Sequence, residues 1–106
     1  MTEAPQLSPT QIGFTATTDQ GPIEIWGHKV VFPGYEGFGF VVHRDLQFPP
    51  KWRVSEVTTG FALGADHPTR KAAIEMAMGL LQARTPEQLT ALIAEALRLK
   101  TQWRKS

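Results

Sequence analysis

The chain has no cysteine among its 106 residues. This absence excludes disulfides, thiolate catalysis and zinc sites built on cysteine, and it is compatible with a reducing compartment. The N-terminal segment lacks the basic start and the apolar core of roughly 7 to 15 residues that mark a signal peptide. No apolar run approaches the roughly 20 residues that span a bilayer. We therefore expect a cytoplasmic protein with no membrane partner.

Neither sign of charge dominates, because 11 Lys and Arg side chains stand against 10 Asp and Glu side chains, a net charge of +1. A dedicated nucleic-acid-binding protein usually has a clear basic excess. The charges are nevertheless unevenly distributed: residues 98–106 contain four cations and no acid, whereas residues 1–40 contain one cation and four acids. This asymmetry permits a basic patch on the folded surface.

Recognisable catalytic motifs are also lacking, since the chain has no HExxH pair, GxSxG elbow, P-loop or GxGxxG fingerprint. An enzyme would need at least two polar side chains to converge in one pocket. The candidates for such a site are His28, His43, Asp45 and Glu56, with His67 as a third histidine. We expect no enzymatic activity, no catalytic residue, no metal and no cofactor.

What the chain does contain is a change of periodicity between residues 52 and 81. Alternating apolar residues predict strands over 11–17, 23–32, 38–43, 52–58 and 61–63, the last two of which would otherwise form one long bulged strand. The second strand is expected to be interrupted at Gly27 and His28 by a bulge or a tight hairpin. Apolar residues at helical spacing between 74 and 81 predict a helix over about 69–83. Thr85, Pro86 and Gln88 form the start of a second helix over about 86–103.

The predicted fold class is α+β: an antiparallel meander of four or five strands followed by two C-terminal helices, at least one of them packed on the sheet. A single domain over residues 11–106 is preceded by a poorly ordered lead-in over 1–10. The predicted core includes Phe38, Phe40, Val54 and Phe61. Gly39 and Gly79 are expected where a neighbouring group packs closely, and Asp66 is expected at the entrance of the first helix.

The start of the first helix is basic, with Arg70 and Lys71 where the helix dipole favours acids. Either an external anion or the carboxylate of Asp66 would compensate these charges. The strands before Thr69-Arg70-Lys71 and the alanines after it resemble the C-terminal half of a double-stranded-RNA-binding domain, over about residues 38–81. The resemblance implies that Arg70 and Lys71 contact phosphates.

This chain departs from the pattern of that family in three respects. Ile74 stands where a third cation is expected, no N-terminal helix is predicted, and Gly21-Pro22-Ile23 does not reproduce the Gly-Pro-x-His loop.

Two functions follow from these features. The first is a small non-enzymatic accessory protein, of bacterial or mobile-element origin, that binds a protein partner or a second copy of itself through exposed aromatics. The partner-binding candidates are Tyr35, Phe48 and Trp103. The alternative is nucleic-acid or anion binding, because aromatics interleaved with cations stack bases and contact phosphates. The candidates for this role are Arg70, Lys71, Arg44, Lys51, Arg53 and Trp52.

Overall fold

In a computed structural model that describes residues 4–18, 21–45 and 50–105, with the backbone alone at 102–105, five antiparallel strands precede two helices. The elements are β1 (Gln6–Thr18), β2 (Gly21–Val31), β3 (Phe40–Arg44), β4 (Trp52–Glu56), β5 (Ala62–His67), α1 (Arg70–Gln82) and α2 (Pro86–Lys105). The strands follow one another across the sheet in chain order. The predicted meander with two C-terminal helices is therefore confirmed.

The strands at the N-terminal end of the sheet are longer than the sequence pattern indicates. β1 begins at Gln6 rather than at residue 11. β2 continues through Gly27 without a break, so the predicted interruption there is wrong. The glycine serves a close approach instead, because a Cβ at position 27 would lie 2.4 Å from the Val42 carbonyl oxygen of β3. The turn predicted around Asp19 and Gln20 lies outside the described residues.

One face of the sheet is covered by α1, which packs on β3, β4 and β5. Phe40, Val42 and Val54 point to this face and are fully or almost fully buried. Small residues on the helix, Ala73 and Ala77, allow its backbone to approach the strands closely. Phe40 and Val54 confirm the predicted core, whereas Phe38 and Phe61 are only half-buried.

The opposite face of the sheet has its own apolar cluster, formed by Phe14, Ala16, Ile25 and Val41. The sheet curls over this cluster, because Thr17 near the end of β1 reaches the turn between β4 and β5. The Thr17 amide donates to the Gly60 carbonyl at 2.8 Å, and the Thr17 hydroxyl donates to the Thr59 carbonyl at 2.6 Å. The sheet therefore has a helix-covered face and a face closed by its own curvature.

Of the two glycines predicted to lie in close packing, Gly39 does and Gly79 does not. A Cβ at Gly39 would lie 2.4 Å from a methyl group of Val57, which confirms the prediction there. Gly79 is exposed, and no atom lies within 4 Å of the place that a Cβ would occupy, so the prediction for Gly79 is wrong. The reason is that Gly79 lies on the solvent side of α1, away from Ala73 and Ala77.

Local capping signals fix the starts of both helices. The Thr69 hydroxyl accepts from the Ala72 amide at 3.0 Å and caps α1. Asp66 belongs to β5, so its predicted role at the helix entrance is wrong. In α2, Thr85 and Gln88 form the predicted capping box, with bonds of 2.9 and 3.1 Å. Within the described residues, neither helix is long and apolar enough to cross a membrane.

Candidate functional site

A row of large polar and aromatic side chains crosses the helix-covered face beside the start of α1. The pairing registers place Gly13 opposite Trp26, Arg44 opposite Trp52, and Trp52 opposite His67. Directly opposed residues in antiparallel strands point to the same face. Extending the β2–β3 register by two residues puts Trp26 opposite Arg44. We call this set the aromatic row; its members are Gly13, Trp26, Arg44, Trp52 and His67.

Two guanidinium groups lie close to the ring of Trp52 within this row. The Arg44 Cζ is 4.6 Å from the ring centroid, and the Arg70 Cζ is 5.8 Å from it. A cation within about 6 Å of an indole is attracted by the negative face of the ring. β4 thus presents Trp52 to the first residue of α1, and the two arginines converge on one aromatic side chain.

Trp26 is the other large aromatic of the row and is 66% exposed. Helix α1 does not reach this end of the face, where Gln11, Thr15 and Glu24 are also exposed. A groove of about 280 Å³ lies next to Trp26. We call it the tryptophan groove; its lining includes Gln11, Trp26, His28, Arg44 and Trp52.

Two acids adjacent in sequence to the aromatic row form ion pairs with Arg53. The Arg53 guanidinium bonds Asp45 at 3.1 Å and Asp66 at 2.5 Å. Because Arg53 follows Trp52 in β4, its side chain points to the opposite face of the sheet. In the described part of the chain no carboxylate forms an ion pair with Arg70 or Lys71. Asp66 therefore does not compensate the basic start of α1.

The polar groups proposed for an enzyme have other partners. The Nδ1 of His43 lies 2.9 Å from the Arg44 carbonyl, and its Nε2 lies 2.8 Å from the Ser55 hydroxyl. Since a carbonyl only accepts, Nδ1 carries the proton and Nε2 accepts from the serine. Burial lowers the pKa of His43, and the charge of Arg53 lowers it further. The bond to the Arg44 carbonyl and the carboxylates of Asp45 and Asp66 raise the pKa, but the net shift is downward.

Glu56 holds the turn that follows β4 and lies at the groove between α2 and β5, away from the histidines. Its carboxylate accepts from the amides of Thr58 and Thr59 at 2.7 and 2.8 Å. His28 and His43 both line the tryptophan groove. The Nε2 of His67 is buried and has no hydrogen-bond partner among the described residues. The expectation that the protein is not an enzyme stays a prediction.

A second surface is apolar and lies on the helices. Leu89 of α2 is buried, but Leu92, Leu97 and Leu99 are 36–45% exposed. A groove of about 290 Å³ separates α2 from β5 and the end of α1, and Leu80 and Leu92 are among its lining residues. The second half of α2 thus has apolar side chains exposed to solvent.

The partner-binding candidates fall in three different situations. The expectation that Tyr35 is exposed is wrong: it is 8% exposed, and its hydroxyl shares its one proton between the carbonyls of Leu81 and Arg84 at the end of α1. Phe48 lies outside the described residues. The backbone of α2 includes Trp103, whose side chain is not among those described.

The predicted nucleic-acid candidates divide between the two faces of the sheet. Arg44, Trp52 and Arg70 come together in and beside the aromatic row. Lys51 and Lys71 are exposed neighbours of Trp52 and Arg70 in the chain. Arg53 lies on the opposite face in its ion pairs, so we leave it out of the site although its predicted role stays a prediction.

Trp26 and His28 line the tryptophan groove but are not among the predicted nucleic-acid or partner-binding residues; His28 is a candidate only for an enzymatic site. An isolated tryptophan in an apolar strand is typical of a core. A signal is present, since Trp26 shares its strand parity with the charged Glu24 and not with Ile23 and Ile25. That parity places the ring on the face opposite to Ile23 and Ile25.

Comparisons with protein-family models, curated proteins and solved structures found no match to this chain. The site is therefore interpreted from its own geometry and chemistry.

Proposed function

We propose that the protein is a non-enzymatic binding module that holds single-stranded nucleic acid along the aromatic row. The observation that carries the proposal is the pair of guanidinium groups at the Trp52 ring, in a row with the exposed Trp26. Sheet-face aromatics stack bases, and adjacent cations contact the phosphates between them. Neither contact requires a catalytic group.

The local charge supports this function better than the net charge does. Arg44, Arg70 and Lys71 are exposed on or beside the row. Asp45 and Asp66, the acids closest in sequence, are held by Arg53 on the other face. Glu24 is an exposed acid on the same face as Trp26, but Arg44, Arg70 and Lys71 outnumber it. A phosphate backbone would therefore meet a basic surface although the chain as a whole is almost neutral.

The test is the salt dependence of binding to a labelled single strand of about 16 nucleotides, measured by fluorescence anisotropy. Three phosphate contacts predict a slope of about −2 for log K against log salt, because each single-strand contact contributes about −0.7. Arg70→Gln should weaken binding and make the slope shallower by about 0.7.

Lys29→Gln is the matched control for this charge change. Lys29 is exposed and lies opposite Val41, so it points to the other face of the sheet. Its loss should leave both affinity and slope nearly unchanged. Absence of binding at low salt, equal effects of the two variants, or equal affinity for a duplex of the same length would contradict the proposal.

A second candidate function, self-association, is favoured by the apolar residues of α2. Leu92, Ala96 and Leu99 are spaced four and three residues apart and so lie along one side of the helix. Ala96 is half-buried, and the two leucines beside it are exposed. A second copy of the same helix would cover these leucines in a two-fold contact.

A further inference from the structure

The tryptophan groove lies where β2 and β3 part. The last pair of their ladder is His28 with Val42. Trp26 and Arg44 are two residues farther along, where the strands no longer pair, and both line the groove. The groove is thus an opening between two strands at the edge of the helix-covered face.

One side of this opening is a flat aromatic surface supported from behind. A Cβ at Gly13 would lie 3.2 Å from two carbons of the Trp26 ring, so the indole rests directly on the glycine of β1. The ring is nevertheless 66% exposed. A tryptophan held on one side by backbone and open on the other provides a surface for another flat ring.

Polar groups next to the ring have defined hydrogen-bonding roles. The Nδ1 of His28 lies 3.0 Å from the Ser8 carbonyl, which only accepts, so Nδ1 carries the proton. In the neutral imidazole Nε2 is then an acceptor. Gln11 is directly opposite His28 in the β1–β2 pair and is exposed, so its amide adds a donor and an acceptor.

We infer that the tryptophan groove takes one unpaired base of the bound strand, stacked on Trp26 with its amino or ring N–H edge towards His28 and Gln11. The inference rests on the proposed nucleic-acid binding and specifies where a base is held. The groove volume, about 280 Å³, is at the lower end of ligand pockets, which suits one ring system. Arg44 at the groove wall would contact the adjoining phosphate.

The experiment compares a single strand with an otherwise identical strand in which every base is replaced by an abasic tetrahydrofuran unit. The phosphates are the same, so the ratio of the two affinities isolates base contacts. Stacking of one base is worth about 1–3 kcal/mol, so the wild-type protein should prefer the base-bearing strand by about five-fold to more than a hundred-fold. Trp26→Ala should lower this preference for the base-bearing strand and leave the affinity for the abasic strand unchanged.

Two further variants keep the result interpretable. Trp26→Phe retains a flat ring and should restore part of the preference. Met76→Ala removes an exposed apolar side chain of α1, away from the tryptophan groove, and should have no effect on the ratio. Thermal unfolding would show whether the variants are folded. We expect that they are, because Trp26 is largely exposed and its replacement removes little buried contact.

The outcomes separate the two proposals. If both strands bind with the expected salt slope but Trp26→Ala weakens them equally, the base site is wrong and the nucleic-acid-binding function stands. If the wild-type protein binds both strands with the same affinity, the base site and base stacking on the aromatic row are both wrong, and only the phosphate contacts remain. If neither strand binds at low salt, both proposals are overturned.

Discussion

His43 and Ser55 form a pair whose distance alone is that of a base and a nucleophile. The hydroxyl and the imidazole Nε2 are 2.8 Å apart, and such a spacing is within reach of proton transfer. Their burial indicates a different role, because Ser55 is 2% and His43 is 5% exposed. The pair satisfies the polar groups of two strands inside the curved face, where an unpaired hydroxyl or imidazole would cost free energy.

The burial of His43 predicts a pH dependence of stability. Its pKa in the folded protein is below the ordinary value of 6.5, so the unfolded chain takes up the proton first on acidification. The stabilisation from neutral His43 is complete above about pH 6.5 and is lost as the pH falls from there through the folded pKa. An NMR titration, with the His43 signal assigned by its loss in His43→Gln, should give a midpoint below 6.5. A midpoint at or above 6.5 would contradict the prediction.

At the scale of elements, helix starts are predictable from the sequence and strand registers are not. The capping box of Thr85 and Gln88 involves residues three apart, so its chemistry is visible in the sequence. The approach of Gly27 to Val42 depends on how β2 and β3 are aligned, which the alternation of apolar residues does not specify. The predicted break at Gly27 is wrong for this reason, although β2 itself is recognisable.

The same distinction applies to the candidate site. Arg44, Trp52 and Arg70 are recognisable in the sequence as candidate binding residues by their cationic or aromatic character. Their convergence requires the β3–β4 register and the position of α1 on the sheet. Trp26 joins them only through the β1–β2–β3 alignment, which no local pattern contains.

Replacing Gly79 of α1 and Gly60 of the β4–β5 turn by alanine should change the stability of the protein in opposite directions. Gly79 is exposed within α1 and has open space around it, so Gly79→Ala should stabilise the protein by about 0.5–1 kcal/mol. Gly60 in the β4–β5 turn has φ = 75°, and a Cβ there would lie 2.3 Å from the Thr15 carbonyl oxygen. Gly60→Ala should destabilise the protein by more than about 2 kcal/mol, since clash adds to backbone strain.

Urea unfolding with fitted m-values measures both free energies. Gly34→Ala separates backbone strain from steric clash, because Gly34 has φ = 86° and open space at its Cβ position. Its cost should be about 1–2 kcal/mol, the strain alone. A Gly60→Ala variant no less stable than Gly34→Ala would show that β1 does not pack closely on the turn.

For the whole molecule, the net charge does not describe how charge is distributed over the two faces of the sheet. A value of +1 suggests little attraction for polyanions. The fold nevertheless separates the charges, since Arg53 gathers two acids on one face while Arg44 and Arg70 meet at Trp52 on the other. Strand alternation, which sends Trp52 and Arg53 to opposite sides, produces this separation.

Self-association is a property of the whole molecule and can be tested separately from nucleic-acid binding. If α2 packs on a second copy, sedimentation velocity should show a dimer whose fraction rises with concentration. Leu92→Glu with Leu99→Glu should give a monomer, because two charges would enter the apolar contact. Ala94→Glu, exposed on the other side of α2 by helical spacing, should remain dimeric. A wild-type protein that is monomeric at high concentration would contradict this candidate function.

The hydrogen bond from the Thr17 hydroxyl to the Thr59 carbonyl joins positions 42 residues apart. A growing chain emerging from the ribosome can pair β1 with β2 early, but it cannot close the curved face until the β4–β5 turn has been synthesised. Contacts of such sequence separation slow folding, because a long stretch of chain must be ordered before they form. While the chain is being synthesised, the paired β1 and β2 therefore leave Phe14 and Ile25 uncovered. These side chains can be buried only after the turn at Gly60 has been made.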